Sequence, residues 1–128
     1  MELRAAYVKK KNKVEIRDIP RPIPKEGQVL IKILGCGVCG SDYLEGASWA
    51  KNWKRFGHEM AAVVAEVGPE VIGFAPGDHV AVALSVACGA CPSCIAGNPR
   101  KCTGLITAEQ GGFAEYVLIT DHRLLFKV

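Results

Sequence analysis

The chain has 128 residues, 49% of them hydrophobic and 23% charged, which is enough apolar material for one packed core and too little charge for a disordered polymer. Sixteen Lys and Arg against thirteen Asp and Glu leave a net charge of +3, too small an excess to predict a nucleic-acid surface. The longest nearly continuous apolar stretch, Val80 to Cys88, falls well short of the about 20 residues a membrane-spanning helix needs. Met1-Glu2-Leu3-Arg4 lacks the apolar run of a signal peptide, so a single cytoplasmic domain over 1–128 with no membrane contact is expected.

In chain order, Ala5 to Val8 and Val14 to Ile16 flank the run Lys9-Lys10-Lys11-Asn12-Lys13, which reads as the solvated tip of a hairpin. Pro20, Pro22 and Pro24 hold an extended connection to a strand at Val29 to Leu34, with Val29, Ile31 and Ile33 on one face. Gly35 to Gly40 breaks the alternation, and Asp42 to Glu45 forms one short turn before a loop carrying Trp49 and Trp53. Glu59 to Val67 is apolar enough for a strand buried on both faces, closed by Gly68-Pro69. The turn Ala75-Pro76-Gly77-Asp78 launches a strand at His79 to Leu84, and Phe113 to Ile119 and Leu124 to Val128 read as the last strands. No long segment has helical spacing, so the expected class is mainly β, a small barrel or sandwich.

Six cysteines without a secretion signal point to metal ligation or thiol chemistry. Cys88, Cys91, Cys94 and Cys102 follow the spacing C-x2-C-x2-C-x7-C. Four thiolates this close can surround one ion at about 2.3 Å, the closed tetrahedral arrangement of structural zinc. The alternatives are two disulfides or four unligated thiols. Elsewhere, Cys39 in Cys36-Gly37-Val38-Cys39-Gly40-Ser41-Asp42, together with His58, can ligate a second zinc, with Asp42 fixing the histidine's orientation. The same residues also suit plain packing. A redox pair of Cys36 and Cys39 lacks the βαβ setting such chemistry uses.

Gly35-Cys36-Gly37-Val38-Cys39-Gly40-Ser41-Asp42, then Gly57-His58-Glu59, Pro76-Gly77-Asp78-His79-Val80, the four-cysteine loop and Gly111-Gly112-Phe113-Ala114-Glu115-Tyr116 come in this order along nearly the whole chain. This pattern resembles the catalytic domain of zinc-dependent medium-chain alcohol dehydrogenases, and within them the polyol and threonine dehydrogenase type. The resemblance implies a GroES-like β-barrel with short helices and a zinc-binding lobe. It implies that Cys39 and His58 hold a catalytic zinc and that Ser41 accepts the substrate hydroxyl's hydrogen bond and starts a proton relay. Asp42 would orient His58, and Glu59 would lie close behind the metal. Cys88, Cys91, Cys94 and Cys102 match the structural zinc lobe, and Cys36 matches a position that is not a ligand. The implied reaction is oxidation of a small secondary alcohol or polyol to a ketone by a homo-oligomeric enzyme.

Zinc is redox-silent, so hydride must pass to NAD or NADP, which needs its own binding fold. No G-x-G-x-x-G lies between a strand and a helix here, and the family's chain would continue past Val128 into a Rossmann domain. The expectation is an N-terminal catalytic fragment that is inactive alone. Two positions depart from the resemblance. Leu44 stands where many members carry a relay histidine, and the third protein ligand of the catalytic zinc would lie beyond Val128. The competing reading is a binding or interaction module stabilised by the four-cysteine zinc alone, with Cys39 and His58 as packing residues.

Overall fold

The computed structural model describes all residues from Met1 to Val128. Strand β1 (Glu2–Lys9) and strand β2 (Lys13–Pro20) form the expected hairpin, with Val8 opposite Val14 and Lys9 opposite Lys13. Leu3, Ala5 and Val8 turn inward from β1, whereas Val14 and Ile16 of β2 are 57% and 66% exposed. Strand β4 (Lys54–Arg55) lies on the other edge of β1, with Arg55 opposite Tyr7.

The main sheet is antiparallel and joins β3 (Val29–Gly37), β5 (Glu59–Val67), β6 (His79–Val82), β9 (Tyr116–Ile119) and β10 (Leu125–Lys127). Its order is β10-β6-β5-β3-β9, and β7 (Ser85–Val86) with β8 (Ile106–Thr107) makes a separate ribbon. The core draws on every strand of the main sheet, including Val29, Ile31, Met60, Val64, Val80, Val117 and Leu125. Each such side chain, fully buried, contributes roughly 1.5–3 kcal/mol. The class is mainly β, as expected, but no ladder joins β9 to β10, so the sheet does not close into a barrel.

The differences from the sequence expectation have local causes. Phe113 to Glu115 leaves the main sheet before Tyr116. Ala6 N–H donates to the Phe113 carbonyl at 2.8 Å, Glu115 N–H donates to the Arg4 carbonyl at 3.0 Å, and Ala114 bridges Ala5. That segment therefore stitches the two sheets together instead of extending β9. Strand β3 runs on through Gly37 because register shifts at Leu30/Ile31 and Ile33/Gly35 absorb the irregularity. They also let Leu30, as well as Val29 and Ile31, be fully buried, so one-face alternation fails there. Strand β5 is not buried on both faces: Met60, Ala62 and Val64 point into the core while Glu59, Ala61 and Glu66 are exposed. The turn expected at Asp42 to Glu45 is longer, a helix α1 (Gly40–Leu44) continued by a π-helical turn over Glu45–Trp49. No helix is long and apolar enough to cross a membrane.

Candidate metal centres

The four-cysteine loop folds as a tight lobe around helix α2 (Pro92–Ile95), which opens with proline at a position where no backbone N–H is missed. Gly89 and Gly97 adopt positive φ values of 75° and 78°, which let the chain reverse on either side of α2. All four sulfurs fall within 4.8 Å of one another, and none is in a disulfide. Four sulfurs held tetrahedrally at 2.3 Å from one ion would be about 3.8 Å apart. The Cys91–Cys94 and Cys88–Cys102 pairs stand at 3.5 Å, close to that edge.

Backbone amides point at the sulfurs as well. Cys88 N–H donates to Cys102 Sγ at 3.3 Å. Amides of Thr103 and then Cys94 draw the Cys91 thiol down to about 5. Amides of Ala90 and Cys91 lower Cys88 in the same way. Loss of water, followed by its hydrogen bond to Cys91, pushes Cys94 up to about 12. The amides that lower Cys88 and Cys91, with four sulfurs within reach of one another, suit a cation held by thiolates.

The second group forms where β3 ends and β5 begins. Antiparallel pairing places Gly37 opposite Glu59 and Cys36 opposite Met60. Cys39 then caps α1 two residues past β3, while His58 immediately precedes β5. The ligand atoms of Cys39, His58 and Glu59 lie within 4.8 Å of one another. A Cβ at Gly37 would meet the Glu59 carboxylate and displace it from its present place.

Asp42, 5% exposed, ties the group together. Its Oδ2 accepts the Cys39 backbone N–H at 2.9 Å. Its Oδ1 lies 3.8 Å from His58 Nδ1, and both atoms are buried without a partner. A hydrogen bond from Nδ1–H to that oxygen would fix a proton on Nδ1 and leave the other ring nitrogen free to ligate. Donor chemistry and orphaned polar atoms both fit a zinc ion. Ser41 is half-buried on α1, and Leu44 is 39% exposed. Burial pushes the Cys36 thiol up, and its sulfur packs beside Gly57 and Gly112 in keeping with a non-ligand.

Three supports were not read from the sequence. The Gly111-Gly112-Phe113 segment docks on the residues before His58: both glycine N–H groups donate to the Gly57 carbonyl, at 2.9 and 3.0 Å. Arg55 reaches across to that segment, its Nη2 donating to the Gly111 carbonyl at 2.9 Å. The lysine-rich hairpin tip exposes its side chains but not its backbone. Lys10 N–H donates to the Ala50 carbonyl and Asn12 N–H to the Gly46 carbonyl, at 2.7 and 2.8 Å, bracing the π-helical turn that follows α1.

Residues 25–128 match the alcohol dehydrogenase GroES-like domain. The chain is 40% identical over 111 residues to L-threonine 3-dehydrogenase of Pyrococcus furiosus, covering 80% of this chain and 31% of that one. It is 36% identical over 129 residues to an NAD-dependent alcohol dehydrogenase of Sulfurisphaera tokodaii, covering 90% and 37%. Among solved structures, galactitol-1-phosphate dehydrogenase of Escherichia coli superimposes with a TM-score of 0.85 at 27% identity, over 98% of this chain and 38% of that one. The chain thus spans about a third of the length of these relatives. With most of its length inside that match, the chain belongs to the GroES-like domain family of the zinc-type medium-chain alcohol dehydrogenases.

Proposed function

We propose that residues 1–128 form the zinc-bearing catalytic domain of a cytoplasmic, homo-oligomeric dehydrogenase that oxidises a small secondary alcohol or polyol to a ketone with NAD or NADP. The carrying observation is the convergence of Cys39, His58 and Glu59, with Asp42 accepting the backbone N–H of one and facing the ring of another at 3.8 Å. Relatives that are dehydrogenases of alcohols, threonine and a sugar-alcohol phosphate support the substrate class. No membrane or nucleic-acid partner enters this reading.

In it, Cys39, His58 and Glu59 hold one zinc, and Cys88, Cys91, Cys94 and Cys102 hold another. Zinc at the first site supplies Lewis-acid polarisation of a hydroxyl group, which brings loss of its proton toward neutral pH. Ser41 accepts the hydrogen bond of that hydroxyl and takes its proton onward. Leu44 has no ionisable group, so the proton then leaves through water or another hydroxyl. Asp42 holds the His58 ring in one tautomer. The four-cysteine lobe leaves no position for a substrate and contributes folding energy only. The hydride acceptor needs a nucleotide site, for which these residues offer no strand, glycine-rich turn and helix in succession.

Counting zinc per chain tests this reading. Two ions are expected for the zinc-loaded chain and one for His58→Ala. A single ion in both would favour the module stabilised by the cysteine lobe alone, with Cys39 and His58 as packing residues.

A further inference from the structure

We propose that Arg55 is a positioning residue for the Cys39, His58 and Glu59 metal site, acting through Gly111 and Gly57; this rests on the reading just given. Arg55 lies on β4, three residues before His58, and its side chain turns back to a segment 56 residues away in sequence. Nη2 donates to the Gly111 carbonyl at 2.9 Å. The guanidinium also occupies the space a side chain at 111 would need, since a Cβ there would lie 2.9 Å from three guanidinium atoms. Gly111, at φ +149°, is in a region that favours glycine and so leaves this seat open.

From Gly111 the connection returns to the site in two steps. Gly111 and Gly112 N–H groups both donate to the Gly57 carbonyl, and Phe113 N–H donates to the Phe56 carbonyl at 3.3 Å. Gly57, at φ +90°, immediately precedes His58. Arg55, Phe56, Gly57 and Gly111 therefore close a ring, with the guanidinium as its only side-chain member. Without Arg55 the Gly111 segment keeps its hold on Gly57 but loses its own anchor.

The arginine's surroundings are unlike those of an arginine that serves packing alone. Its Nε is buried with no hydrogen-bond partner, and loss of water lowers its pKa. Arginine is rarely desolvated unless paired, because the lost hydration is costly. Here that cost accompanies one donation to the Gly111 carbonyl and a flat guanidinium seated against Gly111, a shape lysine's ammonium does not reproduce.

Cobalt titration of the chain, followed by visible absorption and chelator competition, separates this role from general destabilisation. The four-cysteine site takes the first equivalent and serves as an internal control for folding. Arg55→Met should weaken the second equivalent by 10- to 100-fold, the range typical of lost support behind metal ligands, and leave the first unchanged. Gly111→Ala, which puts a Cβ into the guanidinium seat, should do the same. Arg55→Lys should also weaken the second equivalent. Wild-type affinity for it in Arg55→Met or Arg55→Lys, or equal weakening of both equivalents, would overturn the positioning role. A wild-type chain that never takes a second equivalent would overturn the metal-site reading itself.

Discussion

Replacing Gly57 by alanine perturbs the candidate site of Cys39, His58 and Glu59 at a backbone position constrained in both φ and space. Gly57 has φ +90°, and a Cβ there would sit 2.7 and 2.9 Å from two ring carbons of Phe113 and 3.0 Å from Cys36 Sγ. Left-handed backbone costs a residue with a Cβ roughly 1–2 kcal/mol. Overpacking against a ring and a sulfur that are themselves wedged costs about 1–3 kcal/mol more. Phe113 cannot withdraw freely, since it packs on Phe56 with ring centroids 4.7 Å apart and its backbone carbonyl accepts the Ala6 N–H. The sum, about 2–5 kcal/mol, is a large share of the stability of a small domain and should lower the melting midpoint by at least ~6 °C for a chain of this size. Gly35→Ala is the control. Gly35 has no positive φ and no atom within 4 Å of its Cβ position, so that change should stay within about 1 kcal/mol of neutral. Calorimetry of both variants decides the matter. A Gly57→Ala chain melting with the wild type would refute the packing argument.

Cys91→Ser should release the zinc of the cysteine lobe and destabilise that lobe, read as one ion fewer by mass spectrometry and earlier proteolysis between Cys88 and Cys102. Residues 1–128 alone should give no NADH or NADPH formation with any alcohol, checked by absorbance after removal of host enzymes. In a longer protein bearing this domain and a nucleotide site, Ser41→Ala should lower kcat by 10²- to 10⁴-fold, whereas Leu44→Ala should change KM more than the pH profile. Asp78 is held below the usual carboxylate range first by its hydrogen bond to Lys127 and then by the Ala75 N–H. A depressed carboxyl contributes stability above its unfolded-state pKa and loses it as pH falls through the folded value. Lys127→Met should therefore raise the Asp78 pKa toward its ordinary value in an NMR titration.

What the sequence disclosed depended on how far each feature reaches along the chain. The clustering of the four cysteines was legible because they and their turn residues fall within one short loop. Cys39 and His58 were legible as a pattern, but their meeting depends on the β3–β5 register, and Glu59 enters because Gly37 stands opposite it. The clamp of Arg55 on Gly111 joins residues 56 apart and leaves no local signature. The hairpin tip misled in a different way: its lysines are solvated as their charge requires, yet its backbone amides are committed to Gly46 and Ala50. Val14 and Ile16 alternate as core residues would, but nothing in the chain covers that face of β2. Periodicity reports which residues prefer burial, and the rest of the fold decides which of them obtain it.

Binding of two zinc ions by this chain is decided by anomalous diffraction at the zinc edge from crystals of the zinc-loaded protein. Two peaks are predicted, one enclosed by the sulfurs of Cys88, Cys91, Cys94 and Cys102 and one between Cys39, His58 and Glu59, with His58 Nδ1 drawn within hydrogen-bond distance of Asp42. A single peak in the cysteine lobe, with the Cys39 sulfur and the His58 ring left free of metal, would contradict it.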